Sequence, residues 1–403
     1  MYAGLDWASE AHEACVVDDH GVIVRRIAIR HSERGICHLI AQLAELASPE
    51  QLPVAIERPD GVLVDRLLAA GHPVVPIHPN AFAAARPRWS AAPAKSDPGD
   101  AYRLADMLRT DHARLRTLRP LSQETRALQA LVRLRDDHVA TRIAATNQLA
   151  ALLDLHWPGA KRIFARLDSE IALAFLDRYP TPQSAEQLGP ARLAGFLKRY
   201  SYSGRRSPAV LLERLTDAPL VPAPITEHVL TDLVHSQVRI IRTVLGTIND
   251  LDRAIDAALR EHTKTAILAP LPRIGTISLG QVIAEVGPIL DRTSTVESAA
   301  AETGTAPITK TSGHHRAVVF RHHTNTRARK ALTIWADNSR HQSTWAQNIY
   351  TKARARGCRH PHAIHILARA WLRVIWACWH TNTTYDPARR RGHDRHLESP
   401  SLT

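Results

Sequence analysis

The chain has 403 residues, 44% of them hydrophobic and 23% charged, which excludes a disordered chain and leaves room for two or three domains. A formal net charge of +13 and 23 histidines favour a polyanionic partner, because each phosphate neutralised releases condensed counterions. Arg369 and Arg373 interrupt the longest apolar run, which argues against a membrane partner, and the scattered Cys15, Cys37, Cys358 and Cys378 fit free thiols in a reducing cytoplasm.

The chain opens directly into strand-like sequence, with no signal-peptide pattern. Tyr2 to Ala8, Ala14 to Val17 and Val22 to Ile29 read as three strands, the last two joined by the turn Asp18-Asp19-His20-Gly21. Ile36, Leu39, Ile40, Leu43 and Leu46 share a helical face that stops at Ser48-Pro49. A strand from Pro53 to Glu57 follows, then a helix carrying Val64, Leu67 and Leu68 and closed by Gly71. Next come a strand from Pro73 to Ile77, a loop rich in Ala, Pro and Arg up to Ser96, and a helix from about Asp97 to Asp111. The order βββ-α-β-α-β-α is that of an α/β ribonuclease-H-like fold.

Beyond this, residues from about 121 to 153 and from about 224 to 262 read as long helices. In the second, Leu230, Val234, Gln237, Ile241, Val244, Ile248, Leu251, Ile255 and Ala258 step by four and three, the pattern of a coiled-coil seam. In the first, Val132, Val139, Ile143, Ala150 and Leu153 keep a weaker register. An antiparallel hairpin and an intermolecular coiled coil both satisfy this pattern. The expected division is 1–115 as the α/β domain, 116–265 as the helical region, 266–385 as a C-terminal domain and 386–403 as a disordered basic tail.

Two segments carry chemistry. Asp6 in Gly4-Leu5-Asp6 lies by alternation on the opposite strand face from Leu5 and Trp7, and Glu57 ends the strand Val54-Ala55-Ile56. In a ribonuclease-H-like topology the first and fourth strands are neighbours, so these two acids face one another. Asp97 and Asp100 project from the first turn of the last helix toward them. Four converging carboxylates can hold two hard cations such as Mg²⁺, the arrangement that serves phosphodiester chemistry. Taken alone, Asp97 before Pro98 reads as a helix N-cap and Asp100 as a first-turn acid suited to the helix dipole.

The second segment runs from Glu302 to Arg316. Ser312 is followed by Gly313, His314, His315 and Arg316, the parts a nucleophilic serine needs, although Ser-Gly is also an ordinary turn. From Lys310 to Arg359 eleven Lys or Arg residues stand against the single acid Asp337, and Lys310, Arg316, Arg321, Arg327, Arg329 and Lys330 are the candidate phosphate contacts. Leu271-Pro272-Arg273-Ile274-Gly275 reads equally as half of a helix-hairpin-helix or as a capped helix pair. Cys358, His360, His362 and His365 lack paired metal-ligand spacing, and His362 and His365 read as the start of an amphipathic helix carrying Ile366, Leu367 and Trp371. Trp89 can stack on a base or plug the edge of a core.

In order and spacing these residues resemble the DEDD transposases of the insertion-sequence one-hundred-and-ten family, over roughly residues 1 to 110 and 265 to 380. Asp6, Glu57, Asp97 and Asp100 match that family's four acids, and Ser312 in the Thr-Ser-Gly step matches its serine. The resemblance implies a RuvC-like N-terminal domain, a coiled coil and a C-terminal transposase domain. It implies cutting and rejoining of DNA at element ends and target, with Mg²⁺ at the acids and a transient serine–DNA link. It further implies acids and serine drawn from different subunits of a homodimer or homotetramer, a bridging noncoding RNA as guide, and a nucleoid-associated location. Two positions depart from the pattern: Arg273 stands where a glycine is usual, and Ala306 precedes Pro307 in place of a leucine-like residue. A junction-resolving nuclease using the acids and water, and an inactive nucleic-acid-binding protein, are the alternative readings.

Overall fold

A computed structural model describes residues 1–89, 96–219, 225–312, 315–319, 321 and 324–387, and side-chain placement is described outside 309–319. The expected tail lies almost wholly outside the described residues. The chain divides into two compact units, one made of Met1–Gln123 with Glu285–Thr403 and the other of Glu124–Ala284.

The first unit begins with β1 (Tyr2–Trp7), β2 (Ala11–Val17) and β3 (Ile23–Arg30), an antiparallel meander. Helix α1 (Glu33–Ala44) starts where Ser32 Oγ accepts the Gly35 N–H at 3.1 Å, and it buries Ile36, Leu39 and Leu43. Then come β4 (Val54–Ile56), α2 (Val62–Ala69), β5 (Val74–Pro76), α3 (Pro79–Ala85) and α4 (Asp97–Asp111). The sheet order is β3-β2-β1-β4-β5, with β4 parallel to β1 and β5 parallel to β4. This mixed sheet, followed by mostly helical sequence, is consistent with a ribonuclease-H-like domain.

Alternation sends each strand's residues to two different cores. Ala3, Leu5, Ala14, Val16, Val54 and Ile56 pack with α1 and α2. On the other face, Cys15 and Val17 meet Ala101 and Ala105 of α4, while Ala55 and Val75 meet Leu104 and Leu108. Gly4 makes this second packing possible. A Cβ there would sit 2.2 Å from the Ala101 carbonyl oxygen and 2.3 Å from the Ala105 nitrogen, so α4 rests on β1 with main chain against main chain.

Two boundaries differ from the sequence reading. Strand β2 starts at Ala11 rather than Ala14, because Asp6↔Glu13 and Trp7↔His12 extend the ladder beyond the hydrophobic run. The loop expected before Ser96 contains α3 and a short 3₁₀ turn at Arg86–Arg88, since Phe82 finds a buried place beneath them.

The second unit is helical. It comprises α5 (Gln123–His156), α6 (Pro158–Ile163), α7 (Glu170–Arg178), α8 (Pro190–Arg199), α9 (Pro208–Thr216), α10 (Glu227–Glu261), α11 (Thr265–Leu268) and α12 (Thr276–Gln281). Thr125 pairs with His262 and Arg135 with Asp252, so α5 and α10 run antiparallel within one chain. The buried positions of α10 include Val238 and Leu259, in place of the expected Gln237 and Ala258. Along α5, Ile143 is half exposed and the buried residues are Leu128, Val132, Ala145, Leu149 and Leu153, which include the expected Val132 and Leu153. Polar contacts occupy the middle of the seam, where Gln281 Nε2 donates to Asp136 at 2.9 Å beside the Arg135–Asp252 pair. Residues 158–216, whose role is not assigned from sequence, pack around Phe175, which meets Phe164, Phe196 and Trp157 ring to ring, in one core shared with Leu149 and Leu153 of α5 and Leu230 and Val234 of α10.

Back in the first unit, α13 (Gly287–Arg292) and α14 (Val296–Glu302) lead into β6 (Ile308–Ser312) and β7 (His315–Val319). These form an antiparallel ribbon in which Ser312 is paired with His315. Helices α15 (Thr326–Ser339), α16 (Thr344–Ala355) and α17 (His360–Thr381) close the chain's described part. Trp335, Trp345 and Trp371 pack ring to ring at their junction, and Trp371 Nε1 donates to Ser339 Oγ at 2.8 Å. No described helix is long and apolar enough to cross a membrane.

Candidate active site

Residues Leu5 and Ile56 are register partners across β1 and β4, and Asp6 and Glu57 directly follow them. By alternation both acids fall on the sheet face that α4 covers, with Gly4 and Ala55 as the preceding residues on that face. The contacts of Ala101 and Ala105 with Gly4 place the start of α4 over the Asp6 end of the strand. Arg26 Nη1 donates to the Pro98 carbonyl at 3.1 Å and ties the first turn of α4 to β3. The fold therefore brings Asp6, Glu57 and the first turn of α4 to one end of one sheet face.

A fifth carboxylate joins them. Glu13 is the register partner of Asp6 on β2 and lies on the same face. Burial, and then the negative charge of Asp97, hold its carboxyl above the ordinary value, while Arg26 partly opposes them. Glu13 falls outside a strand bounded by the hydrophobic run Ala14 to Val17, and only the longer β2 brings it onto the sheet. The alternation Ala11-His12-Glu13-Ala14 was the available signal.

The two helix acids differ in their surroundings. Asp97 is exposed in the first turn, and Ser96 takes the capping position expected of Asp97. Asp100 is buried, with one carboxylate oxygen 2.7 Å from Arg86 Nη2 and the other 2.7 Å from Arg103 Nη1. Its charge is thus balanced by two guanidiniums from the protein. Farther along α4, Asp106 accepts from Trp89 Nε1 at 2.7 Å and pairs with Arg109, so Trp89 is bound to the domain by its indole N–H.

Carboxylate oxygens are the donor set that hard divalent cations prefer. The donor chemistry of Asp6, Glu13, Glu57 and Asp97 therefore suits such an ion. Among the described residues, no three His, Cys, Asp or Glu side chains stand in metal-ligating geometry.

Ser312 ends β6, and its side chain, like those of Lys310 and Arg316, lies outside the described residues. Arg321 Nε donates to the Ala306 carbonyl at 3.3 Å, and Arg329 Nη1 to the Arg321 carbonyl at 3.2 Å. Arg327, Arg329 and Lys330 stand in the first turns of α15, which Asn325 caps through the Ala328 N–H. Arg273 adopts φ of 50°, the left-handed conformation that a glycine would reach without strain. His360 Nδ1 lies 3.0 Å from the Tyr350 hydroxyl, and His362 and His365 belong to the first turns of α17.

Comparison with known proteins places these observations beside a single group. Residues 3–158 match the family model of DEDD IS110 transposases, and residues 265–351 match that of transposases of the IS116/IS110/IS902 family. A mini-circle transposase protein of IS117 from Streptomyces coelicolor is 32% identical over 402 residues, 96% of each chain. The 42 kDa protein of insertion element IS900 from Mycobacterium paratuberculosis is 26% identical, over 96% of this chain and 98% of its own. The 43.6 kDa protein of IS110 from Streptomyces coelicolor is 27% identical, over 73% of this chain and 72% of its own.

Proposed function

We propose, on the premise that this chain belongs to the IS110 family of insertion-sequence transposases, that it cuts and rejoins DNA through two cooperating parts. One is a divalent-ion site on Asp6, Glu57, Asp97 and Asp100, in which Asp100 exchanges one of its two guanidinium partners for the ion, and the other is the hydroxyl of Ser312. The chain is a DNA transposase, and the finer assignments rest on the single observation that Asp6, Glu57 and the start of α4 share one end of one sheet face.

Mg²⁺ bound among these carboxylates supplies Lewis-acid stabilisation to the oxygens that attack and leave a scissile phosphate. The chain's own groups do the rest. Main-chain contact at Gly4 sets the start of α4 over β1, and Arg86 and Arg103 fix the position of the Asp100 carboxylate through charged hydrogen bonds. The Ser312 oxygen forms a bond to phosphorus while the bond to the strand's departing oxygen breaks, and the serine proton passes to that oxygen. Attack by the hydroxyl of a second strand reverses this transfer and frees the serine. Lys310, Arg316, Arg321, Arg327, Arg329 and Lys330 hold the backbone meanwhile. In this reading acids and serine come from different subunits of a homodimer or homotetramer, a noncoding RNA pairs with element and target, and the protein works at the nucleoid. Residues 1–115, 116–265 and 266–385 are its RuvC-like, coiled-coil and serine-bearing parts.

Strand exchange on a supercoiled donor and target, followed alongside a denaturing-gel assay for protein joined to DNA, tests this. Asp6→Asn and Glu57→Gln are expected to abolish Mg²⁺-dependent exchange while DNA retention on filters stays within a few-fold, because the cationic surface is untouched. Ser312→Ala is expected to lose the joined species. Full cleavage by Ser312→Ala would instead establish a water-using nuclease.

A further inference from the structure

A cavity of about 630 Å³ opens in the C-terminal part of the first unit, between the segment Gly304–Pro307 and one face of α17. Along α17 its lining recurs at three- and four-residue steps, at His362, His365, Ile366, Arg369, Ala370 and Arg373. The opposite face of the helix, with Leu367, Trp371 and Ile375, is buried. Arg321 and Arg359 complete a lining that, among the described residues, holds four arginines, two histidines and no carboxylate. No ion pair joins Arg359, Arg369 or Arg373 to another described residue.

The cavity has two chemical halves. Guanidiniums in a concave, partly dry setting suit phosphate oxygens, which they can take in bidentate fashion. Ala306, Pro307, Pro361, Ile366 and Ala370 supply an apolar surface that a phosphate cannot use but the flat face of a base can. Burial, and then Arg329 and His362, hold the His365 imidazole below its ordinary value, which leaves a neutral ring in a positive field. The volume is that of a small-molecule site rather than of a groove for a double helix. Pro307 directly precedes β6, the strand that ends in Ser312.

We propose that this cavity binds one unpaired nucleotide of a nucleic-acid strand, with its phosphate on Arg359, Arg369 and Arg373 and its base against Pro307, Pro361 and Ile366. The inference rests on the reading of the chain as a transposase that handles nucleic-acid strands, and it assigns the α17 face a substrate. An unpaired nucleotide can come from DNA whose base has left the stack or from a single-stranded RNA segment, and the same contacts serve both.

The full chain is titrated, without divalent ion, against labelled oligothymidylate, oligouridylate and an abasic oligonucleotide of equal length. The double variant Arg369→Gln/Arg373→Gln is compared with Arg253→Gln/Arg260→Gln, which removes the same charge from exposed positions of α10. The cavity variant is expected to weaken binding of a base-bearing strand about ten-fold or more, and the control no more than about two-fold. The wild type is expected to bind the abasic strand at least about five-fold more weakly than its base-bearing counterpart. The strand showing the larger loss identifies the source. Equal losses in cavity and control variants, or equal affinity for abasic and base-bearing strands, would overturn the proposal. Ile366→Asp, with thermal melting to check the fold, probes the apolar half separately and is expected to lower base-bearing affinity alone. Because no cleavage is scored, failure here leaves the assignments of the four acids and Ser312 standing, and failure of strand exchange leaves the cavity standing.

Discussion

Asp100 shows most directly how a side chain's setting decides its role. It is buried with a charge on each side, so removing Arg86 leaves Arg103 as its one remaining ion-pair partner among the described residues. Arg86→Ala is expected to destabilise the fold by about 1–3 kcal/mol in urea unfolding. His12 makes a pH prediction. Its Nε2 lies 2.7 Å from His31 Nδ1, and burial, followed by the charge of His31, holds it below the ordinary imidazole value of 6.5. The unfolded chain therefore takes up a proton near 6.5 that folded His12 still refuses. Stability is flat above that value and falls as pH drops from it toward the folded value. Urea midpoints at about pH 7.5 and about pH 5.5 read this loss, and His12→Asn is expected to remove part of it. Of the acids, Asp6, Glu57, Asp97 and Asp100 were visible in the sequence because strand alternation and helix spacing are local rules. Glu13 and the two arginines on Asp100 were not, since they depend on where β2 begins and on how the segment before α4 folds back.

At the level of elements, hydrophobic periodicity identified the long helices but not their seam. Position 237 fits a strict heptad, yet the helix turns slightly more slowly than that repeat and brings Val238 inward instead. In α5 the predicted Val139 and Ile143 lose their place because Arg135 and Asp136 use the middle of the seam for polar contacts with Asp252 and Gln281. Ile255 is fully buried, and a Cβ on Gly280 would approach its Cγ2 to 3.0 Å, so α10 and α12 meet closely there. Ile255→Ala is expected to cost about 2–5 kcal/mol, read as a lowered helix melting temperature by circular dichroism. Gly4→Ala acts on the other closely packed pair. It must push α4 off β1, and a loss of about 1–3 kcal/mol together with abolished strand exchange is expected.

Across the whole molecule, charge was the most readable property. The excess of +13 and the nearly acid-free stretch from Lys310 to Arg359 anticipate a protein that acts on DNA. Affinity for duplex DNA is expected to fall linearly with the logarithm of salt concentration, and Arg327→Gln/Lys330→Gln to reduce that slope by about 2. An unchanged slope would remove α15 from the phosphate contacts. The assembly of one compact unit from residues 1–123 and 285–403 could not be read from sequence, because local patterning says nothing about which distant segments pack together.

The glycine beneath α4 also bears on how such a protein withstands mutational drift. Where backbone rests on backbone, with no side chain between, substitutions in the surrounding hydrophobic layers can accumulate without tilting the helix that carries two of the acids. A mobile element copied under weak selection would thus keep its cutting geometry through much sequence erosion, and its weak point would be a single methyl group gained at residue 4.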